Sequence, residues 1–113
     1  MLFADINLDD LELDETGSNW TAVGNETDRF KGTFDGNGFS ISNLKINRPD
    51  ESYQGFFGAT DSSTIKNVSI ENAEVKGNND TGGLVGSNYT NSIIENCSAT
   101  GTVTGNSYTG GLV

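Results

Sequence analysis

Histidine is missing from this sequence, and cysteine occurs only once, at Cys97. The common catalytic triads need a base such as histidine beside the nucleophile, and zinc sites need histidine and cysteine ligands. A single cysteine cannot form an internal disulfide, so it gives no indication of the redox compartment. The absence of histidine and the scarcity of cysteine therefore argue against an enzyme and against a zinc protein.

Long apolar runs and helical periodicity are missing as well. No stretch approaches the roughly 18 apolar residues of a membrane span, and the first residues lack the basic start and apolar middle of a signal peptide. We therefore expect no membrane insertion within this chain, and we expect the signal and anchor of an exported protein to lie outside it. The 15 glycines suit short strands joined by tight turns, with little or no α-helix.

Basic residues are absent from the first quarter of the chain. Residues 1–28 contain eight acids and no base, whereas residues 29–113 contain eight acids and six bases. A formal net charge of −10 repels the phosphates of nucleic acids and anionic membrane surfaces. We therefore predict no nucleic-acid partner.

The acidic segment has two interpretations. Runs of charge are usually solvated faces, so a solvated loop is the simpler one. Carboxylate oxygens are also the ligands that Ca²⁺ prefers, although the ligand spacing of an EF-hand is absent here. The candidate ligands for such a cation are Asp9, Asp10, Glu12, Asp14 and Glu15. No other cofactor is predicted.

A repeat organises the rest of the chain. The sequence Thr-Gly-Gly-Leu-Val at residues 81–85 returns letter for letter at residues 109–113, an offset of 28 in the numbering. A weaker copy at residues 54–58 precedes residues 82–86 by the same offset. Periods of this size indicate solenoids, propellers or arrays, because each unit buries its apolar face only against its neighbours.

The period also sets the organisation of the domain. Residues 1–113 have room for about four stacked units around one core, so we predict a single all-β domain. Within it, residues 1–28 form an acidic first unit and residues 29–113 form the repeats.

Three segments share a second pattern, in which an apolar residue is followed two places later by asparagine and then by two alternating apolar residues. They are residues 41–46, 65–70 and 94–99. The pattern predicts a strand, a corner and a second strand in each unit. Stacking the units places the corner residues Asn43, Asn67 and Asn96 above one another, where their amides form a hydrogen-bonded ladder.

Several other positions have predicted roles. Residues 3–8 and 19–24 each predict a strand, with Trp20 in the core or covering its end. Cys97 follows the corner asparagine, as Leu44 and Val68 do, which predicts a small buried apolar residue and not a nucleophile. Six Asn-x-Ser/Thr sequons are present, and the two in predicted loops, at Asn79 and Asn88, are the candidates for glycosylation.

These residues together resemble a known family. Residues 32–44, 55–58 and 82–86 are similar to the GLUG-motif repeats of bacterial and archaeal adhesin-like surface proteins, and the start of the chain resembles the run that precedes the first repeat. The resemblance implies a right-handed parallel β-helix (β-solenoid) of about four coils, located outside the cell or on its surface. It implies no catalytic residues.

Two departures from the family pattern stand out. Gln54 replaces the usual small residue before Gly55, and Val113 ends the chain before the glycine expected next. The second departure suggests that the sequence is a fragment of a larger protein.

Three functions are consistent with the sequence. The leading one is a non-catalytic structural or adhesive module, a β-helical stalk or binding surface whose partner is a surface glycan or protein. The first alternative is self-assembly, in which open solenoid ends stack on other copies into a filament or surface layer. The second is a glycan-active β-helix enzyme, disfavoured because the adjacent carboxylates Asp9 and Asp10 point to opposite faces of a strand.

Overall fold

The structure is a computed structural model that describes residues 4–10, 12–89 and 91–113. Within these ranges the chain forms short β-strands and one three-residue 3-10 helix, Leu8–Asp10. The strands are β1 (Ile6–Asn7), β2 (Thr33–Asp35), β3 (Ser40–Ser42), β4 (Lys45–Asn47), β5 (Phe57–Thr60), β6 (Thr64–Lys66), β7 (Ser69–Lys76), β8 (Val85–Asn88), β9 (Ile93–Glu95) and β10 (Ser98–Thr104). The prediction of an all-β protein with almost no helix is confirmed. No helix in the described part is long and apolar enough to cross a membrane.

The strands form three parallel sheets. A five-stranded sheet contains β1, β3, β4, β7 and β10, a three-stranded sheet contains β2, β6 and β9, and a two-stranded sheet pairs β5 with β8. From β2 onward the chain passes through the three-stranded, the five-stranded and the two-stranded sheet in turn, and then repeats that order. Parallel neighbours need long connections, and here each connection runs through the other two sheets.

The register of the sheets follows the sequence repeat. In the three-stranded sheet Ile65 pairs with Ile94, and in the five-stranded sheet Ile70 pairs with Ala99, so both pairs have an offset of 29. In the two-stranded sheet Phe57 pairs with Val85, an offset of 28. Because register decides which side chains face inward, a nearly constant offset places apolar residues of successive units against one another.

The core contains the inward-facing side chains of all three sheets. Phe57 lies at its aromatic centre, with its ring centroid 4.9 Å from that of Phe30, 5.4 Å from Phe34 and 5.2 Å from Phe56. The other large side chains that are fully buried, below 2% exposure, are Ile41, Leu44, Ile46, Ile65, Ile70, Leu84, Val68, Val75, Val85, Thr60 and Thr81. Burial of each large apolar side chain contributes about 1.5–3 kcal/mol, and this supplies the main stabilisation of so small a domain.

Strand β1 and side chains from the acidic segment together cover the side of β3 and β4 that faces away from β7. The backbone N–H of Ser40 donates to Asp5 Oδ1, and that of Lys45 donates to Asn19 Oδ1, both at 2.8 Å. The N–H of Asn47 donates to Ser18 Oγ, also at 2.8 Å. Unpaired strand edges invite association with other chains, and along β4 the oxygens of Asn19 and Ser18 occupy the positions where another strand would bind.

The prediction of a strand at residues 19–24 is wrong. Within it only Val23 makes a bridge, an isolated parallel one to Phe57. The side chains of this segment determine its course instead, because Asn19 bonds the edge of β4 and Trp20 stacks on Phe56 with ring centroids 4.3 Å apart. The indole Nε1–H also donates to the carbonyl oxygen of Phe56 at 2.9 Å. Trp20 thus covers an end of the core, as predicted.

The opposite edge is formed by β9 and β10. Ile93 is 52% exposed and Tyr108 is 82% exposed, while Ile94, Ala99 and Val103 are only partly buried against the core. Among the described residues this end of the core is therefore less covered than the end beneath Trp20.

Candidate functional site

Asparagines occupy the strand corners in a left-handed backbone conformation. The φ angles are 62° at Asn43, 57° at Asn67, 54° at Asn72 and 51° at Asn96. Asparagine tolerates this region better than most residues because its short polar side chain can hydrogen-bond locally. The sequence thus places asparagine where the chain turns between strands at Asn43, Asn67 and Asn96, and at Asn72 within β7.

Two of the predicted ladder residues lie in one column. Asn96 Nδ2 donates to Asn67 Oδ1 at 2.8 Å, and Asn67 Nδ2 donates to Asp35 Oδ1 at 3.2 Å. The column therefore links three successive units through side chains, although sequence reasoning did not include Asp35. The offset between Asp35 and Asn67 is larger than the repeat, and Asp35 has a carboxylate in place of the amide. The sequence pattern therefore did not reveal Asp35.

Asn43 lies in a different column, so the prediction of a single ladder of Asn43, Asn67 and Asn96 is corrected. Its Nδ2 donates to Asn7 Oδ1 at 2.8 Å, and its Oδ1 accepts from Asn72 Nδ2 at 2.7 Å. This second column lies within the five-stranded sheet.

The reason for the error lies in the register. Ile41 pairs with Ile70 and not with Ile65, so the asparagine after Ile41 lies beside the one after Ile70. Two kinds of corner have an apolar residue two places before the asparagine. The sequence pattern matched the corner at Asn43 with those at Asn67 and Asn96, which are of the other kind.

Hydrogen bonds to two aspartates lower their pKa values. The pKa of Asp35 lies below its ordinary value of 3.8, chiefly because the N–H of Asn37 and the amide of Asn67 donate to it. The pKa of Asp14 is also lowered, first by the hydroxyl of Thr16 and then by the N–H of Ser18, with Arg48 contributing. Donors that favour the charged form depress the pKa of a carboxyl group.

We expect these two carboxylates to make the protein less stable in acid. A pKa depressed in the folded state gives stability that is present above the unfolded value of 3.8 and is lost as pH falls through the folded pKa. Urea unfolding measured between about pH 6 and pH 2 should show a falling unfolding free energy. The double variant Asp14→Asn, Asp35→Asn should lose less, whereas exposed Asp50→Asn should behave as the parent. An equally steep loss in the double variant would contradict this account.

The candidate cation ligands do not converge in the described part of the chain. Asp9 Oδ1 lies 3.5 Å from Lys45 Nζ, and Asp14 Oδ2 accepts from Arg48 Nη2 at 2.8 Å. Glu12 and Glu15 are exposed, and the side chain of Asp10 lies outside what the structure describes. Among the described residues no group of three acidic, cysteine or histidine side chains is placed to hold a metal ion.

The two candidate glycosylation sites are both half-buried. Asn88 Oδ1 accepts from the hydroxyl of Thr60 at 2.6 Å, and Asn88 Nδ2 donates to the carbonyl of Ser92 at 3.2 Å. Asn79 Oδ1 accepts from the N–H of Ser107 at 3.2 Å. Both side chains therefore bond between neighbouring segments, and their modification stays a prediction.

Cys97 is half-buried and packs against the core. Burial raises the pKa of its thiol, so the reactive thiolate is less populated at neutral pH than in an exposed cysteine.

A polar groove lies where the acidic segment passes the corner before β5. We call it the corner groove, and its volume is about 250 Å³. Its lining residues are Thr21, Ala22, Gly24, Asn25, Arg48, Glu51, Ser52, Tyr53 and Gln54. Sequence reasoning singled out none of these as binding residues.

Gln54 and Arg48 line the groove, and each also carries a polar atom buried beneath its surface. Gln54 is 6% exposed, and its Nε2 donates to the carbonyl of Ser52 at 3.2 Å. Its Oε1 and the Nε of Arg48 are both buried and have no hydrogen-bond partner among the described residues. The Nη2 of Arg48 donates to Asp14, and its Nη1 lies 4.0 Å from Glu51 Oε2.

Tyr53, which lines the groove, contacts Tyr89, the residue after β8. The hydroxyls of Tyr53 and Tyr89 lie 3.3 Å apart, and this contact together with burial raises the pKa of Tyr53 to about 12. The guanidinium of Arg29 lies 3.7 Å above the ring of Tyr89, which is a cation–π contact. Tyr53 is therefore an uncharged phenol at neutral pH.

Comparison with known families confirms the resemblance stated above. The model of the GLUG motif matches residues 77–104. That range begins directly after β7 and ends with β10, so it contains one strand from each of the three sheets. The sequence motif and the structural repeat are therefore the same unit.

Two relatives extend the similarity over most of the chain. Halomucin of Haloquadratum walsbyi is 42% identical over 101 residues, which is 86% of this chain and 1% of that protein. A Gly-rich membrane protein of Evansella cellulosilytica is 34% identical over 94 residues, which is 76% of this chain and 10% of that protein. The chain thus spans only a small part of either relative, and no solved structure matches it significantly.

Proposed function

We propose that this chain, which carries the GLUG motif at residues 77–104, is a non-catalytic structural and adhesive module of a cell-surface or secreted protein. The similarity to halomucin and to a protein named as a membrane protein supports a location at the surface. In this proposal the strands supply a stiff scaffold, and the connections between them supply the contacts with a surface glycan or protein.

The observation that carries the proposal is the nearly constant offset between paired strands of the later units. The units β2–β5 and β6–β8 each contribute to all three parallel sheets, and the pairs Ile65–Ile94, Ile70–Ala99 and Phe57–Val85 have offsets that differ by no more than one. We infer that the chain winds as a right-handed parallel β-helix, because connections between parallel strands are almost always right-handed. Such a stack is quasi-one-dimensional, so further units extend it without changing the contacts of the others.

Adhesion is tested by binding to surfaces. Beads coated with the purified chain should be retained by isolated cell envelopes of its source organism, and antibody against the chain should label intact cells. The matched controls are beads coated with heat-unfolded chain and with albumin. Retention equal to that of both controls, together with no labelling of intact cells, would refute the proposal.

Self-assembly is the second candidate, favoured by the exposed apolar side chains at the β9–β10 end. Ile93 and Tyr108 are solvent-exposed there, whereas side-chain oxygens of Asp5, Asn19 and Ser18 already bond the opposite edge. This asymmetry favours pairing of two β9–β10 ends over unlimited head-to-tail growth. Light scattering across a concentration series should then plateau at the mass of a dimer; a monomer at every concentration excludes stacking, and a continuously rising mass indicates a filament.

A further inference from the structure

We propose that Asn25 is the residue of the folded chain that accepts an N-linked glycan. The proposal rests on the proposed surface location, because N-linked glycans are carried by surface loops of secreted proteins. The chain contains six Asn-x-Ser/Thr sequons, and the sequence alone favours those at Asn79 and Asn88. The structure distinguishes the six by two features, the contacts of each amide nitrogen and the exposure of each hydroxyl residue.

The sequon at residues 25–27 is exposed throughout. It lies in a bend between the bridge residues Val23 and Phe30, and all three of its side chains are solvent-exposed. Neither Asn25 Nδ2 nor the hydroxyl of Thr27 has a hydrogen-bond partner among the described residues. A transferase that recognises a sequon must reach both of these groups, and here both are accessible.

The loop holds the other end of the same amide. Asn25 Oδ1 accepts from the N–H of Thr27 at 2.9 Å and from that of Asp28 at 2.8 Å. The N–H of Asn25 donates to the carbonyl oxygen of Asp28 at 3.1 Å. The carbonyl end of the side chain is therefore fixed by the protein, and the nitrogen end is left for reaction.

This arrangement suits the chemistry of the transfer. Asn25 Nδ2 forms a bond to the anomeric carbon of a phosphate-activated sugar, and the bond from that carbon to the phosphate oxygen breaks. The phosphate leaves with the bonding electron pair, and the proton lost by Nδ2 passes to a base of the transferase. Negative charge that develops on the amide resides largely on Oδ1, where two N–H donors stabilise it. The glycosylated amide keeps this oxygen, so the loop retains its hydrogen bonds.

The two sequons favoured by the sequence are less suitable. Asn79 is half-buried, and its hydroxyl residue Thr81 is 0% exposed, so a transferase cannot reach that hydroxyl without local unfolding. The Nδ2 of Asn88 is already used, because it donates to the carbonyl of Ser92 at 3.2 Å. The hydroxyl residue of that sequon, Thr90, lies outside the described residues.

The other three sequons use their amide nitrogens within the fold. Asn19 is 8% exposed, and its Nδ2 donates to the carbonyl of Asn43 at 2.9 Å. The Nδ2 atoms of Asn67 and Asn96 both donate within the column described above. A glycan on any of these nitrogens would disturb a contact between units. Among the described residues, residues 25–27 thus form the one sequon with both an unpaired amide nitrogen and an exposed hydroxyl residue.

The test is sugar transfer to the folded chain in vitro. The oligosaccharyltransferase is one that glycosylates synthetic peptides of residues 20–30 and of residues 74–84, and the donor is a sugar linked to a lipid pyrophosphate. Tandem mass spectrometry of proteolytic peptides then identifies the modified positions in the full chain. We expect Asn25 to be modified faster than Asn79 by about tenfold or more, because the sequon of Asn79 must first open locally.

Variants in the loop decide whether the sequon is responsible. Asn25→Gln and Thr27→Ala should each abolish transfer to this loop, whereas Glu26→Gln, at the middle position, should leave it unchanged. All three residues are exposed, so the urea midpoint of each variant should stay at the parent value. The proposal is overturned if the folded chain is not modified, if modification occurs chiefly at another sequon, or if transfer to Asn25 persists in Thr27→Ala.

The outcome is separable from that of the surface role. If Asn25 is not modified but coated beads are still retained by cell envelopes, the glycan proposal fails and the adhesive module stands. If Asn25 accepts the sugar while retention and surface labelling both fail, Asn25 is a glycan acceptor in a protein that is not an adhesin.

Discussion

Replacing Phe57 with alanine is expected to lower the free energy of unfolding by about 3–5 kcal/mol. Phe57 is 2% exposed, and its ring contacts those of Phe30, Phe34 and Phe56. The loss includes the apolar surface of the ring and the cavity left among three aromatic neighbours that cannot all move inward. Since small domains are stable by only about 5–15 kcal/mol, a large part of the stability would disappear.

Urea unfolding followed by tryptophan fluorescence measures this effect. Trp20 is the only tryptophan, and its stacking on Phe56 makes its emission sensitive to loss of the core. Tyr108→Ala is the matched control, because Tyr108 is 82% exposed and its truncation should change the free energy by no more than about 0.5 kcal/mol. A loss below about 1 kcal/mol for Phe57→Ala would contradict the core described here.

The second large effect is expected at Gly83. A Cβ added to Gly83 would lie 2.5 Å from the carbonyl oxygen of Gly111 and 3.1 Å from the Cβ of Ala99. The N–H of Gly83 donates to that same oxygen at 3.0 Å, so the two backbones must separate to admit a methyl group. We expect Gly83→Ala to destabilise the protein by about 1–3 kcal/mol, as overpacking of a well-fitted interior does.

Gly111 is the control for this substitution. It occupies the equivalent position of the next unit, and no described atom lies within 4 Å of its ideal Cβ. Gly111→Ala should therefore change the unfolding free energy by no more than about 0.5 kcal/mol. Equal effects of the two substitutions would mean that the units do not stack with these backbones in contact.

Part of this architecture can be predicted from sequence because it depends on local chemistry. Asn67 and Asn96 turn the chain in a left-handed conformation between β6 and β7 and between β9 and β10, and the apolar residues around them identify the strands. The period of the two Thr-Gly-Gly-Leu-Val copies equals the offset between Phe57 and Val85 in the two-stranded sheet. These features repeat, so each copy supports the interpretation of the others.

The predictions from sequence are wrong where the repeat can be aligned in two ways, or where side-chain hydrogen bonds take the place of strand pairing. Asn43 has the sequence neighbourhood of a corner asparagine, yet its register places it in another column. Asn19 lies in a strand-like run, yet its side chain bonds the edge of β4, which local propensity does not report. Tertiary contacts outweigh local preference at both positions.

The corner groove was not predictable for a related reason. It depends on how residues 21–25 pass beside residues 48–54, and this contact belongs to no repeated pattern. One signal was present in the sequence, since Gln54 replaces the usual small residue before Gly55. Only the structure shows that this departure accompanies an unpaired buried oxygen.

The parallel pairing of successive units is the claim on which the other conclusions depend. Nuclear Overhauser contacts between methyl groups of a chain with labelled isoleucines test it most directly. We predict contacts between Ile65 and Ile94 and between Ile41 and Ile70, two pairs with the same sequence offset. Their absence, or backbone contacts whose residue offsets change steadily along two strands, as in an antiparallel pair, would contradict the account.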